Sequence, residues 1–220
     1  MHWTPLEIDH QTLLDPIWKN LAQKHQLILS EYSFANNYLF RKVHNYQVSV
    51  EGDFPLVKGY SRQGDEFIFP TFDPTALSKE KLCELLSILP IYPIPDQWLD
   101  CFSELPIATK SNRYQSDYIF TKNKLKELKG GKLSSRRNLL HQLIANYQTE
   151  VIPLTPSDKQ AALTVLDQWQ ARTGMTTDQN DYFPCLEALK YLERFNLTGR
   201  LCLIDGTPAA EDDPSMDGFK

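Results

Sequence analysis

The stretch SDYIFTKNKLKELKGGKLSSRRNLLHQLIANY, Ser116 to Tyr147, decides how the chain is read. Ser116–Phe120 carries the aromatic and β-branched side chains of a strand. Lys122–Lys129 is rich in helix formers, and Gly130-Gly131 stops it, because glycine loses the most backbone freedom on entering a helix. Ser134 or Ser135 then caps a second helix running to about Tyr147. On that helix Leu133, Leu140, Leu143, Ile144 and Tyr147 share one face at 3.6-residue spacing. Arg136 falls within the arc of this stripe and Arg137 at its edge. Cations near a helix N-terminus oppose the macrodipole, and a bound anion resolves the conflict. Arginine stems that cover a core edge while their guanidiniums reach water or an acidic partner account for the pattern equally.

Outside this stretch the composition is that of a globular protein. The 220 residues are 41% apolar and 11% aromatic, enough for one large domain or two small ones. The net charge of −5 gives no global basic field for nucleic acid. The one dense basic run is local: Lys122, Lys124, Lys126, Lys129, Lys132, Arg136 and Arg137 stand against a single acid, Glu127. Such a run is a solvated face or a polyanion contact. Cys83, Cys101, Cys185 and Cys202 form no CxxC pair, so they read as free thiols of a reducing compartment. The five histidines include no HxH or HExxH pair, and no metal is expected. No run approaches the ~20 apolar residues of a membrane span, so the expectation is a cytoplasmic protein without an integral membrane segment.

In the first half, helices are expected over Gln11–His25, capped by Asp9, and over Lys79–Leu89. A shorter one lies within the aromatic stretch SEYSFANNYLFRK, Ser30–Lys42. Strands are expected at Asn45–Val50, Leu56–Ser61 and Glu66–Pro70, with Gly52-Asp53 as a turn and Asp96–Phe102 as a helical turn. In the second half Glu150–Leu154 is β-like. Thr155-Pro156-Ser157-Asp158 starts a helix, by a Ser157 cap or a Thr155/Asp158 capping box, and that helix runs to about Arg172 and stops at Gly174. A helix from about Phe183 to Phe195 follows, and Trp169, Tyr182, Phe183 and Tyr191 read as the core of these two helices. Gly199–Ile204 then enters an Asp205-Gly206 turn that demands a partner strand. Past Ala210 the chain turns acidic, and the strand is left unfinished. Alternating strands and helices around a mixed sheet make this an α/β or α+β protein.

The order strand, helix, helix, strand, hairpin in the second half resembles the start of a GNAT-type acyltransferase unit. More specific are SEYSFANNYLFR (Ser30–Arg41), SDYIF (Ser116–Phe120) and LKELKGGKLSSRRN (Leu125–Asn138), with Pro153-Leu154-Thr155 and Ile204–Ala209. Together these resemble the C-terminal domain of phosphatidylglycerol lysyltransferases, over about Leu13 to Ala210. The resemblance implies two tandem GNAT-like units, here 1–148 and 149–220, the second apparently truncated. It implies transfer of an acyl or aminoacyl group, from aminoacyl-tRNA or acyl-CoA as donor substrate, to an amine or hydroxyl. No further cofactor is implied, and the oligomeric state is open. The family's Lys/Arg-Arg-Asn element maps to Arg136, Arg137 and Asn138, with Gly131 and Lys132 just upstream, as the substrate- or anion-binding set in a cleft between the units. Tyr118 occupies the family's strand tyrosine and is the catalytic candidate, a donor to an oxyanion; a packing tyrosine fits the same position. His141, one turn past Arg137, reads as a surface residue. The GNAT pyrophosphate pattern Arg/Gln-x-x-Gly-x-Gly/Ala does not occur, so a non-catalytic anion-binding domain or a fragment lacking the donor site stands as the alternative. A tRNA-binding module working through Lys122–Arg137 is a third reading.

Overall fold

The structure, a computed structural model, describes residues 1–111, 113 and 119–209. The chain divides into two compact units, Met1–Ser116 and Asp117–Lys220, where the sequence reading put the boundary after residue 148.

In the first unit, β1 (Thr4–Pro5), β2 (Gln47–Ser49), β3 (Leu56–Tyr60) and β4 (Glu66–Phe69) form one antiparallel sheet in that order. Helices α1 (Gln11–His25), α2 (Phe34–Leu39) and α3 (Lys79–Ile88) belong to the same unit. The α1 boundaries are those expected, but Asp9 is not the cap. It lies in a 3-10 turn, Ile8–His10, where the Glu7 N–H donates to His10 Nδ1 at 3.0 Å. A short turn ahead of the helix thus supplies the capping that one carboxylate was expected to give. Leu14, Trp18 and Leu21 recur at helical spacing and are the buried residues of α1.

The core is aromatic. Trp18, Phe34, Phe69, Trp98 and Phe102 are fully buried, each contributing about 1.5–3 kcal/mol by leaving water. Trp18 meets Phe69 edge-on at 5.3 Å, and Tyr32 meets Trp98 edge-on at 5.6 Å, the arrangement that ring quadrupoles favour. The Trp18 indole N–H donates to the Pro70 carbonyl at 3.0 Å, which ties α1 to the end of β4. The aromatic stretch after Ser30 therefore builds the core, as its composition suggested.

In the second unit, α4 (Lys122–Glu127) and α5 (Ser134–Asn146) precede an antiparallel sheet of β5 (Thr149–Pro153), β6 (Arg200–Ile204) and β7 (Thr207–Pro208). Helices α6 (Lys159–Thr173) and α7 (Tyr182–Lys190) lie between β5 and β6 in sequence. The Thr155/Asp158 capping box forms ahead of α6, and Gly174 closes that helix in the left-handed region at φ 64°. Asp205 and Gly206 both take positive φ, 49° and 79°, as a two-residue hairpin turn requires. The partner strand that this turn demands is β7; residues from Ala210 onward, including the acidic tail, lie outside the described residues.

The class is α+β, as expected. The ladders of both sheets are antiparallel, and the parallel element of the expected mixed sheet is an isolated bridge between Ile68 and Ile91. Within the second unit neither α5 nor α6 has a fully buried residue. Trp169 and Phe183, expected in a helix–helix core, are exposed, and Tyr182 instead turns its hydroxyl to Asp167 Oδ1 at 2.7 Å. Leu140 and Ile144 of the α5 stripe are likewise exposed, whereas Leu133, Leu143 and Tyr147 are half-buried.

Candidate anion-binding site

The Gly-Gly break is where the candidate residues meet. Helix α4 is capped at its start by Thr121, whose hydroxyl accepts from the Lys124 N–H at 3.2 Å. It ends at Leu128, which takes left-handed φ 47°. Gly130 follows at φ 101°, a conformation that side chains rarely adopt, and Gly131–Leu133 makes one 3-10 turn before α5. The first glycine therefore makes the reversal, while Gly131 is helical with open space around it.

Neither serine caps α5 as expected. Ser134 is its first residue, and its hydroxyl turns back to donate to the Gly131 carbonyl at 2.7 Å. The 3-10 turn moves the helix start one residue earlier than the serine signature implied.

Arg137 answers the question of why an arginine stands near the start of α5. Its Nη1 donates to the Leu128 carbonyl at 2.8 Å, from a half-buried position. That carbonyl stands just past the last turn of α4, where unpaired carbonyls concentrate negative charge. Arg137 thus opposes the dipole of its own helix while complementing that of the helix before it. One of its five N–H donors is engaged in this way, and it locks α4 and α5 into one hairpin.

Lys132, Arg136 and Asn138 are exposed around this hairpin. Arg136 has no hydrogen bond or ion pair among the described residues. Lys129 Nζ pairs with Glu127 at 3.0 Å, and Lys124 lies over the Phe120 ring at 5.4 Å. Lys132, in the 3-10 turn, stands four residues ahead of Arg136, which lies in the first turn of α5. Such a pair can hold a phosphate or carboxylate without itself moving a proton. His141 is exposed, as expected. Tyr118 and the Ser116–Tyr118 part of the expected strand lie outside the described residues; Ile119 and Phe120, which are described, are exposed and not in a strand. Among the described residues no His, Cys, Asp or Glu group could hold a metal, and no helix is long and apolar enough to cross a membrane.

One charged cluster escaped the sequence reading. In the first unit the Asp73 carboxylate accepts from Lys24 Nζ at 2.6 Å, Thr75 N at 3.0 Å and Thr75 Oγ1 at 2.7 Å, and lies 2.9 Å from His25 Nε2. Burial pushes its pKa up, but the hydrogen bonds from Lys24, Thr75 and His25 outweigh burial and hold it well below the usual carboxylate range. The signal available beforehand was Asp73-Pro74-Thr75, an N-cap followed by proline at the first position of a turn. Its 48- and 49-residue separation from the end of α1 left no local trace.

A solved structure titled as a conserved protein of unknown function from Bacteroides thetaiotaomicron VPI-5482 superposes with a TM-score of 0.65 at 19% identity, over 94% of this chain and 72% of that one. At that identity the likeness speaks for the fold alone. No curated protein matches the chain. The sequence profile described as "Phosphatidylglycerol lysyltransferase, C-terminal" matches residues 23–210, which takes in the SEYSFANNY stretch, the α4–α5 hairpin and the Asp205-Gly206 turn. The chain belongs to the phosphatidylglycerol lysyltransferase C-terminal family.

Proposed function

We propose that this chain is an acyl- or aminoacyltransferase built from GNAT-like units, moving an acyl or aminoacyl group from acyl-CoA or aminoacyl-tRNA to an amine or hydroxyl. Family membership across residues 23–210 is the observation that carries the reading. Both donor classes carry phosphates as well as an activated carbonyl, beside the terminal ribose ester in aminoacyl-tRNA and across the pantetheine arm in acyl-CoA, so an anion-holding element has a partner in either. In this reading Lys132 and Arg136 hold the anionic part of the substrate, and Asn138 adds a neutral donor. Arg137 positions them by fixing α5 against the end of α4. The acceptor's nitrogen or oxygen attacks the donor carbonyl, the thioester or ester bond breaks, and the acceptor's proton passes, directly or through water, to the departing coenzyme A thiolate or tRNA ribose oxygen. Holding both partners in place supplies much of the rate, and Tyr118 is assigned to donate to the developing oxyanion.

The test is thermal unfolding with coenzyme A, acetyl-coenzyme A, charged tRNA and uncharged tRNA, on the parent chain and on Lys132→Ala/Arg136→Ala. A ligand at ~100 times its Kd adds about 2.7 kcal/mol, or roughly 5–10 °C for a chain of this size. The expected result is a rise with one donor class that disappears in the double variant. A rise that survives it places the donor elsewhere. Binding without transfer of the group to any amine or hydroxyl supports a non-catalytic anion-binding domain instead.

A further inference from the structure

Strand β5 forms one edge of the second unit's sheet, and among the described residues its outer side has no partner strand. The register with β6 decides which backbone groups face outward. One step beyond each end of the ladder, directly opposed residues bond each other: the Leu154 N–H donates to the Gly199 carbonyl at 3.0 Å, and the Asp205 N–H donates to the Gln148 carbonyl at 2.8 Å. Opposed residues of an antiparallel pair alternate between bonded and non-bonded. Glu150 and Ile152 therefore turn N–H and C=O toward β6, while Thr149, Val151 and Pro153 turn theirs away. Proline falls in the outward set, where its missing N–H takes nothing from the ladder. No described residue accepts from the Thr149 or Val151 N–H, and Val151 is 61% exposed. An open edge of this kind is a template for another strand.

We infer that β5 is a self-pairing edge, through which two copies of the chain join antiparallel with Val151 on the two-fold axis. In this register each Val151 N–H donates to the Val151 carbonyl of the other copy, and each Thr149 N–H donates to the Pro153 carbonyl. All four outward donors are satisfied, and the carbonyl left over, that of Thr149, faces the residue that has no N–H. Other registers fit worse. A slide of one residue opposes outward groups to groups already bonded to β6. A slide of two in one direction sets Glu150 directly opposite its own copy, a like-charge pair. A slide of two in the other sets Thr149 against Thr155, whose N–H already donates to Asp158 Oδ2 at 2.9 Å and whose carbonyl already accepts the Asp158 N–H at 3.0 Å. In the chosen register Glu150 stands opposite Ile152, and the two exposed Val151 side chains meet. Donors, acceptors and the proline gap all match within the same five residues, which selects a second copy over an unrelated strand and makes the contact isologous. None of Lys132, Arg136 and Asn138 takes part, so the pairing stands whether or not the chain transfers a group.

The experiment is sedimentation equilibrium of the whole chain over a concentration series. A single strand pair is smaller than the ~1,200–2,000 Å² of a stable interface, so the expected result is a reversible dimer with a Kd of about 10–100 μM. Val151→Pro removes both central bonds, leaves the β6 ladder intact and weakens the dimer about tenfold or more. Val151→Lys and Val151→Glu each set like charges across the axis and weaken it in the same sense, while a mixture of the two pairs again as a mixed dimer. Melting temperatures equal to the parent's in dilute solution verify that the variants fold. Amide exchange on the parent tests the pairing without any substitution: in the dimer the Thr149 and Val151 amides exchange about tenfold more slowly than in the monomer, and those of Glu150 and Ile152 do not change. A parent that stays monomeric throughout the series, a Val151→Pro chain that dimerises as the parent does, a Lys/Glu mixture no more dimeric than either variant alone, or Thr149 and Val151 amides that gain no protection each overturns the proposal.

Discussion

Gly59, on β3, offers a quantitative test of how tightly the first unit is packed. A Cβ at this position would stand 2.5 Å from Tyr46 Cδ1, 2.6 Å from Cε1 and 3.1 Å from the His44 carbonyl. Carbon atoms in favourable contact sit about 3.5–4.0 Å apart, so Gly59→Ala forces a displacement of about 1 Å. The Tyr46 ring has little room to yield. It is 6% exposed, lies 5.2 Å from the His44 ring and meets Phe67 edge-on. Its backbone is held on both sides, by Leu6 N–H to Tyr46 O and by Tyr46 N–H to Arg41 O. Overpacking of this kind costs about 1–3 kcal/mol, and losing a glycine from a strand interior returns about 0.5–1 kcal/mol. The expected net loss is about 1–2 kcal/mol. Urea unfolding followed by tryptophan fluorescence measures it, with Trp169→Phe removing the one indole of the second unit. With a slope of about 2 kcal/mol/M, the midpoint falls by about 0.5–1 M. In a Tyr46→Ala background the obstruction is gone, and Gly59→Ala becomes neutral or stabilising; that coupling isolates the contact. A single variant as stable as the parent, or a loss undiminished in the Tyr46→Ala background, refutes the reasoning.

Two further perturbations test the charged contacts. Asp73→Asn removes the charge that Lys24, Thr75 and His25 converge on, from a carboxylate 13% exposed, and lowers stability by about 1–3 kcal/mol. Because the folded carboxyl titrates below its unfolded value of about 3.9, its contribution is fully present above that pH and is lost as pH falls toward the folded pKa. The parent chain's stability therefore drops more steeply below about pH 4 than that of Asp73→Asn, and parallel profiles would contradict the assignment. Arg137→Ala frees the Leu128 carbonyl, so amide exchange in α4 accelerates by about tenfold. The Trp18–Pro70 contact and the rest of the first unit keep their protection, and unchanged exchange in α4 would remove Arg137 from its positioning role.

Local signals carried most of the fold. Periodicity placed α1 to the residue, because Leu14, Trp18 and Leu21 must all leave water on one face. Gly174 and the Asp205-Gly206 pair marked their turns because positive φ at low strain narrows the choice of residue. The helix caps were harder to place. Asp9 and Ser134 carry capping side chains, yet neither caps its helix: a 3-10 turn precedes each, leaving the start of α1 where expected and putting that of α5 at Ser134 itself. Long-range contacts left no local trace. Nothing near Asp73 announces Lys24 and His25, and nothing near Gly59 announces the ring of Tyr46.

The α4–α5 hairpin shows where periodicity stops being informative. A stripe at 3.6-residue spacing says which side chains share a face, and it is silent about what covers that face. The stripe of α5 was read as a core face with arginines intruding on it. In the structure Leu140 and Ile144 of that stripe are exposed while Leu133, Leu143 and Tyr147 are half-buried, and the two arginines part ways. Arg137 turns back to the preceding helix, which the Gly130 reversal brings within 2.8 Å. Arg136 stays among exposed leucines. The electrostatic argument that made both arginines conspicuous, cations near a helix N-terminus, is thus answered for Arg137 by the carbonyl end of a second helix dipole. For Arg136 no such answer exists among the described residues, so the demand for an anion falls on it and on Lys132. In the transfer reading that anion is a phosphate of the donor, which is why these two cations are assigned to it while Arg137 enters only by holding the hairpin together.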